Sequence, residues 1–83
     1  MATRKFDALK KTDEEIHATI HEVYSALVER GYNPISQMVG YLITNEPTYI
    51  TGHNNARTII TKFERDELLE YILKKYFEKE EEL

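Results

Sequence analysis

The chain has 83 residues, of which 41% are hydrophobic and 31% charged, with no cysteine and a formal charge of −4. That length supports one domain with a small core, and the missing cysteines exclude disulfides and thiolate metal sites. Apolar runs fall far short of the roughly 20 residues that cross a bilayer, and an acidic whole argues against broad binding to nucleic-acid phosphates.

No apolar stretch follows the basic start, so no signal peptide is expected and a cytoplasmic protein is. A domain this small without staples commonly gains stability by self-association, and a homodimer is the expectation. The charge is unevenly spread. In residues 1–11, Arg4, Lys5, Lys10 and Lys11 against Asp7 leave +3, and in residues 78–83, Glu78, Glu80, Glu81 and Glu82 against Lys79 leave −3.

Residues 1–11 lack apolar periodicity beyond Phe6 and Leu9, which reads as a flexible basic tail. Thr12-Asp13-Glu14-Glu15 has the form of a capping box that opens a helix. Ile16, Ile20, Val23, Tyr24 and Leu27 then recur at three- and four-residue spacing, one face of a helix that ends before Gly31. Gly31 can take the left-handed conformation that closes a helix. Asn33 can cap the next one, and Pro34 suits its first position. One helix therefore stops and another starts within about three residues, a corner that fixes their angle.

The second helix carries Ile35, Met38, Val39, Leu42 and Ile43 on one expected face. Gly40 costs about 1 kcal/mol relative to alanine inside a helix, so it implies a close neighbour. Asn45 and Pro47 end the helix, Glu46 to Ile50 can form a single turn, and Gly52 breaks the chain again. Asn54 or Asn55 caps a third helix with Ile59, Ile60 and Phe63. After Phe63 the phase slips, and Leu68, Leu69, Ile72, Leu73, Tyr76 and Phe77 define a new stripe. We therefore split the segment near Glu64-Arg65 with Asp66 as cap, leaving open one helix that changes partners midway. No strand pattern or repeat appears. The expected architecture is all-α: a compact homodimeric bundle of four to five helices, with a tail at 1–11, a single domain at 12–79 and an acidic frayed end at 80–83.

Few residues suggest chemistry. His17 and His21 stand four apart, a spacing that can hold a metal, but no third ligand is evident and a solvent-facing helix flank accounts for both. His53 reads as a loop residue. No serine or cysteine is placed to pair with a histidine, so neither catalysis nor a cofactor is expected. Tyr24, Tyr71 and Tyr76 fall on or beside apolar faces and read as core with hydroxyls at the rim. Tyr32, Tyr41 and Tyr49 gather near the corner as helix packing or, alternatively, a subunit interface. The alternative function is a helix-turn-helix DNA-binding regulator, with residues 54–63 entering a groove. Arg57 and Lys62 are that segment's only cations, a thin footprint for phosphates. Thr3, beside Arg4 and Lys5, is placed as a modification site would be, although many tails carry an unmodified threonine.

Several motifs occur in fixed order: Gly31-Tyr32-Asn33-Pro34-Ile35, Gln37-x-Val39-Gly40-Tyr41, Pro47-x-Tyr49-Ile50, Asn54-Asn55-Ala56-Arg57 and Glu64-Arg65-Asp66-Glu67. Together they resemble the IreB/ReoM family of small regulatory phosphoproteins from Gram-positive bacteria, over about residues 16–76. The resemblance implies a non-enzymatic helical homodimer whose tail threonine is phosphorylated by a membrane Ser/Thr kinase and cleared by a partner phosphatase. It further implies control of peptidoglycan synthesis and antibiotic resistance, in some members through a protease adaptor system, with no nucleic acid and no membrane insertion. The family's threonine stands three residues before a phenylalanine, as Thr3 stands before Phe6, although family tails extend further upstream. Thr12 is a poorer candidate, because its hydroxyl is engaged in the expected cap. Gly31, Tyr32, Asn33, Pro34, Gln37, Gly40 and Tyr41 are the expected structural corner or dimer residues, and Arg57 and Arg65 are candidate partner contacts.

Overall fold

In the computed structural model the backbone is described for residues 2–82 and side chains for residues 12–78. Four α-helices and two 3-10 turns follow in order: α1 (Ala2–Glu29), α2 (Pro34–Thr44), turns at Pro47–Tyr49 and His53–Asn55, α3 (Ala56–Ile60) and α4 (Arg65–Glu82). Among the described residues there is no strand.

Helix α1 does not start at the expected Thr12 cap; it begins ten residues earlier. No glycine or proline interrupts residues 2–12, and Ala, Arg, Lys and Leu are strong helix formers, so the periodicity break at the tail is not a helix break. Thr12 is then an interior residue of α1 rather than its cap. The mobility expected of residues 1–11 concerns side chains outside the described ones.

The corner forms as expected. Gly31 has φ +83°, its N–H donates to Val28 O at 3.0 Å, and the Tyr32 N–H donates to Leu27 O at 3.0 Å. This crossed pair satisfies the carbonyls a helix leaves open at its end. Asn33 Oδ1 accepts from the Ser36 N–H at 3.0 Å, and Pro34 takes the first position of α2. At the other end of α2, Asn45 is left-handed at φ 61° and its N–H donates to Tyr41 O at 2.7 Å.

The third helix begins differently from the expectation. Asn55 precedes α3 but gives it no side-chain cap; both Asn54 and Asn55 sit in the left-handed region instead, at φ 54° and 62°. The break between α3 and α4 falls at the phase slip, so residues 54–79 are two helices. Glu64, rather than Asp66, stands at the cap position of α4: its N–H donates to Glu67 Oε1 at 2.9 Å, and its carbonyl accepts from Leu68. Glu67 is the third residue of the helix, so its carboxylate reaches back as in half a capping box.

The core draws on every helix: Ile16, Val23, Ala26 and Leu27 from α1, Tyr41 from α2, Ile50 from the connection, Ala56 and Ile60 from α3, Leu68 and Tyr71 from α4. Ile20, Met38, Leu42, Ile59 and Phe63 are half-buried against it. Tyr71 is the core tyrosine expected, whereas Tyr24 and Tyr76 are exposed. Burial at about 25 cal/mol per Å² favours this packing, yet the core takes only part of what the sequence offers. Pairs between α1 and α4 run in opposite chain directions: Asp13 Oδ2 meets Lys74 Nζ at 2.8 Å, and His17 Nδ1 shares a 2.5 Å hydrogen bond with the Tyr71 hydroxyl. The two helices are therefore antiparallel.

Candidate protein-interaction site

Polar residues singled out in the sequence hold one part of the chain against another. Gln37 Nε2 donates to Tyr49 O at 3.0 Å and pins the first 3-10 turn on α2. Gly40 makes room for that turn: a Cβ there would lie 2.5 Å from Tyr49 Cε1. The close neighbour that Gly40 implied is this ring. Arg57 Nε donates to Ile50 O at 2.9 Å, and Arg65 Nη1 donates to Leu42 O at 3.0 Å, tying the start of α4 to α2. Each arginine spends one N–H on a carbonyl and has others left for a partner. Tyr32 lies half out of the corner, while Tyr41 is buried.

The histidines separate into two structural roles. His17 and His21 rings lie 4.4 Å apart and tilted, and His17 is tied to Tyr71. Burial raises the Tyr71 hydroxyl above its ordinary pKa, with Lys75 opposing and Asp13 and Glu78 adding to the shift. His53 Nε2 pairs with Glu29 Oε1 at 2.7 Å, so the left-handed Asn54-Asn55 loop is clamped to the end of α1. Beside this clamp an open hollow of about 430 Å³ is lined by His21, Glu22, Ser25 and Asn54. Among the described residues no group of three His, Cys, Asp or Glu is arranged to hold a metal.

The largest surface feature is apolar. Among the described residues, twelve large hydrophobic side chains are at least a third exposed, against ten hydrophobic residues in the core, a balance unusual for a chain that works alone. They concentrate in two stripes. On α2, Ile35, Val39 and Ile43 repeat every four residues and face outward, with Ile43 74% exposed. This corrects the single buried face expected for α2, since only Met38 and Leu42 of those five pack on the core. On α4, Leu69, Ile72, Leu73, Tyr76 and Phe77 form the second stripe, and Tyr76 and Phe77 stack edge to face at 5.0 Å. One signal could have found the first stripe: α2 contains no charged residue at all, although it sits on the surface.

A family profile described as the IreB regulatory phosphoprotein matches residues 1–78. A UPF0297 protein of Clostridioides difficile strain 630 is 51% identical over 74 residues, covering 89% of this chain and 87% of that protein. The chain belongs to the IreB family. The resemblance drawn from the corner and the Asn54-Asn55-Ala56-Arg57 motif is thereby confirmed, and the role is regulatory. Thr3, the expected modification site, falls in the first turn of α1, with its side chain outside the described residues. No helix among the described residues is long and apolar enough to cross a membrane.

Proposed function

We propose that this IreB-family protein is a cytoplasmic, non-enzymatic homodimer switched by a membrane Ser/Thr kinase and its phosphatase at Thr3, and that it restrains peptidoglycan synthesis through protein contacts. The observation that carries this reading is the pair of exposed apolar stripes on α2 and α4. Such surface favours burial by a second copy or a partner protein. The family's description as a phosphoprotein supports a threonine switch, and Thr3 lies beside Arg4 and Lys5 in a segment of opposite charge to the rest of the chain. A phosphate adds about −1.5 to −2 charge, enough to cancel half or more of the local +3. The unmodified basic segment docks the dimer on its downstream partner, Arg57 and Arg65 contribute their remaining N–H groups to it, and the phosphate weakens that docking. Control of a protease adaptor system and of antibiotic resistance follows from the same contacts.

The alternative helix-turn-helix reading gains no support from the geometry. Helix α3 has five residues, too few to span a major groove as a recognition helix does, and Arg57 is partly committed to Ile50 O. Mass spectrometry of the protein from growing cells tests the proposal. Phosphate on Thr3 that disappears when the kinase is deleted is expected; an unmodified Thr3 in cells with an active kinase would refute the switch.

A further inference from the structure

We propose that His17 and His21 form a binding site for a divalent late first-row cation such as Zn²⁺ or Cu²⁺, with Tyr71 orienting His17. The two histidines stand four residues apart on α1, a spacing that puts both side chains on one face of the helix. Ile16, Thr19 and Val23 are buried beside them, so the backbone that sets the spacing is held by the core and the pair is preorganised. Both histidines are exposed, within reach of an ion from solvent. Two imidazoles bound side by side to one ion, through nitrogens about 2.0–2.1 Å from it, place their ring centres roughly 4.5 Å apart. The centres of these two rings stand 4.4 Å apart.

The surroundings supply what imidazole ligands need. A metal-bound histidine gives one ring nitrogen to the ion and commits the other to a hydrogen bond that fixes the ring. The Tyr71 hydroxyl, 2.5 Å from His17 Nδ1, is that partner. It accepts from the Nδ1–H tautomer and leaves the Nε2 lone pair to the ion. Tyr71 belongs to the buried core, so the ring is held from a rigid place. Among the described residues His21 makes no hydrogen bond or ion pair, and it lines the open hollow with Glu22. Residues 12–29 carry Asp13, Glu14, Glu15, Glu22 and Glu29 with no lysine or arginine, a field that draws cations to α1. The nitrogen donors select the ion: Zn²⁺ and Cu²⁺ suit imidazole, whereas Mg²⁺ and Ca²⁺ take oxygen ligands. With two protein ligands, water fills the remaining positions and binding is reversible. The ion ties adjacent turns of α1 at the place where α1 meets α4.

Calorimetric titration of the untagged full chain with Zn²⁺, and separately with Cu²⁺, tests the site. One ion per chain is expected, with Cu²⁺ bound more tightly than Zn²⁺, no binding of Mg²⁺, and a Tm that rises as Zn²⁺ is added. His21→Ala keeps the bond between His17 and Tyr71, so it should fold normally and lose the ion. Tyr71→Phe keeps the ring in the core and should weaken binding about tenfold. Glu22→Gln should cost less affinity than His21→Ala. The site is overturned by an absence of saturable Zn²⁺ and Cu²⁺ binding, or by binding that His21→Ala leaves unchanged. A larger loss in Glu22→Gln than in His21→Ala would assign the ion to the carboxylates and overturn it equally. Unchanged affinity in Tyr71→Phe would strike the tyrosine from its orienting role.

Discussion

Gly31 and Gly52 form a matched pair in which one glycine is demanded by conformation and the other is not. Neither would meet a heavy atom within 4 Å if given a Cβ, so sterics with neighbours are equal. Gly31 has φ +83°, whereas Gly52 has φ −78° and ψ −6°, a conformation open to any L-residue. Replacing Gly31 by alanine forces a choice. Keeping the left-handed turn costs about 1–2 kcal/mol of backbone strain. Leaving it forfeits the bonds from Gly31 N to Val28 O and from Tyr32 N to Leu27 O, at about 0.5–1.5 kcal/mol each. The smaller cost governs, so Gly31→Ala should lose about 1–2 kcal/mol, with Tm falling about 4–8 °C per kcal/mol in a domain of this size. Gly31→Asn should lose less, because asparagine tolerates this region, and the β-branched Gly31→Val should lose more. Gly52→Ala should be neutral, or stabilising by up to about 1 kcal/mol through the unfolded chain. Thermal melts of the four variants by circular dichroism decide the matter. Equal Tm values for Gly31→Ala and Gly52→Ala would refute the conformational argument for the corner.

Other substitutions test the contacts between elements. Gly40→Ala gains up to about 1 kcal/mol of helix propensity but drives a Cβ to 2.5 Å from the Tyr49 ring, an overpacking cost of about 1–3 kcal/mol. Net destabilisation is expected in the native background and stabilisation when Tyr49→Ala is also present, and a double-mutant cycle showing no coupling would sink the idea. Arg65→Ala removes a charged donor from Leu42 O and should cost about 1.5–3 kcal/mol, measured by urea unfolding; an unchanged midpoint would show that the tether is idle. Alkaline pH should unfold the chain by two routes. Burial first, with the nearby carboxylates, raises Tyr71 above its ordinary 10.0, and the Asp13 hydrogen bond first raises Lys74 above 10.5. In both cases the folded state holds its proton more tightly, so the stability is whole below the ordinary value and is lost as pH climbs through the raised one. Tyr71→Phe should flatten part of that slope, and an identical alkaline titration of stability would contradict the assignment. In the proposed homodimer, Val39→Lys or Leu73→Lys should leave the fold intact and shift sedimentation toward monomer, whereas unchanged sedimentation of both would remove these stripes from the proposed interface.

Local chemistry made much of this fold legible in the sequence. Gly31, Asn33, Pro34, Asn45 and Pro47 act within one turn of themselves, through left-handed backbone, side-chain caps and a missing N–H, so their residue types alone place the helix boundaries. The phase slip at Glu64-Arg65 separated α3 from α4 for the same reason. Periodicity marks which residues are apolar, but it cannot tell which apolar stripe meets the core and which meets solvent. Ile35, Val39 and Ile43 share α2 with Tyr41, Met38 and Leu42, and only the packing of α2 against α1 and the Pro47–Tyr49 turn turned the second set inward. Long-range partners were equally invisible: Arg65 reaches a carbonyl 23 residues away and His17 a hydroxyl 54 residues away. Those distances close only after the helices cross, so the sequence determined the breaks and the family, while tertiary packing decided which faces remain open for other proteins.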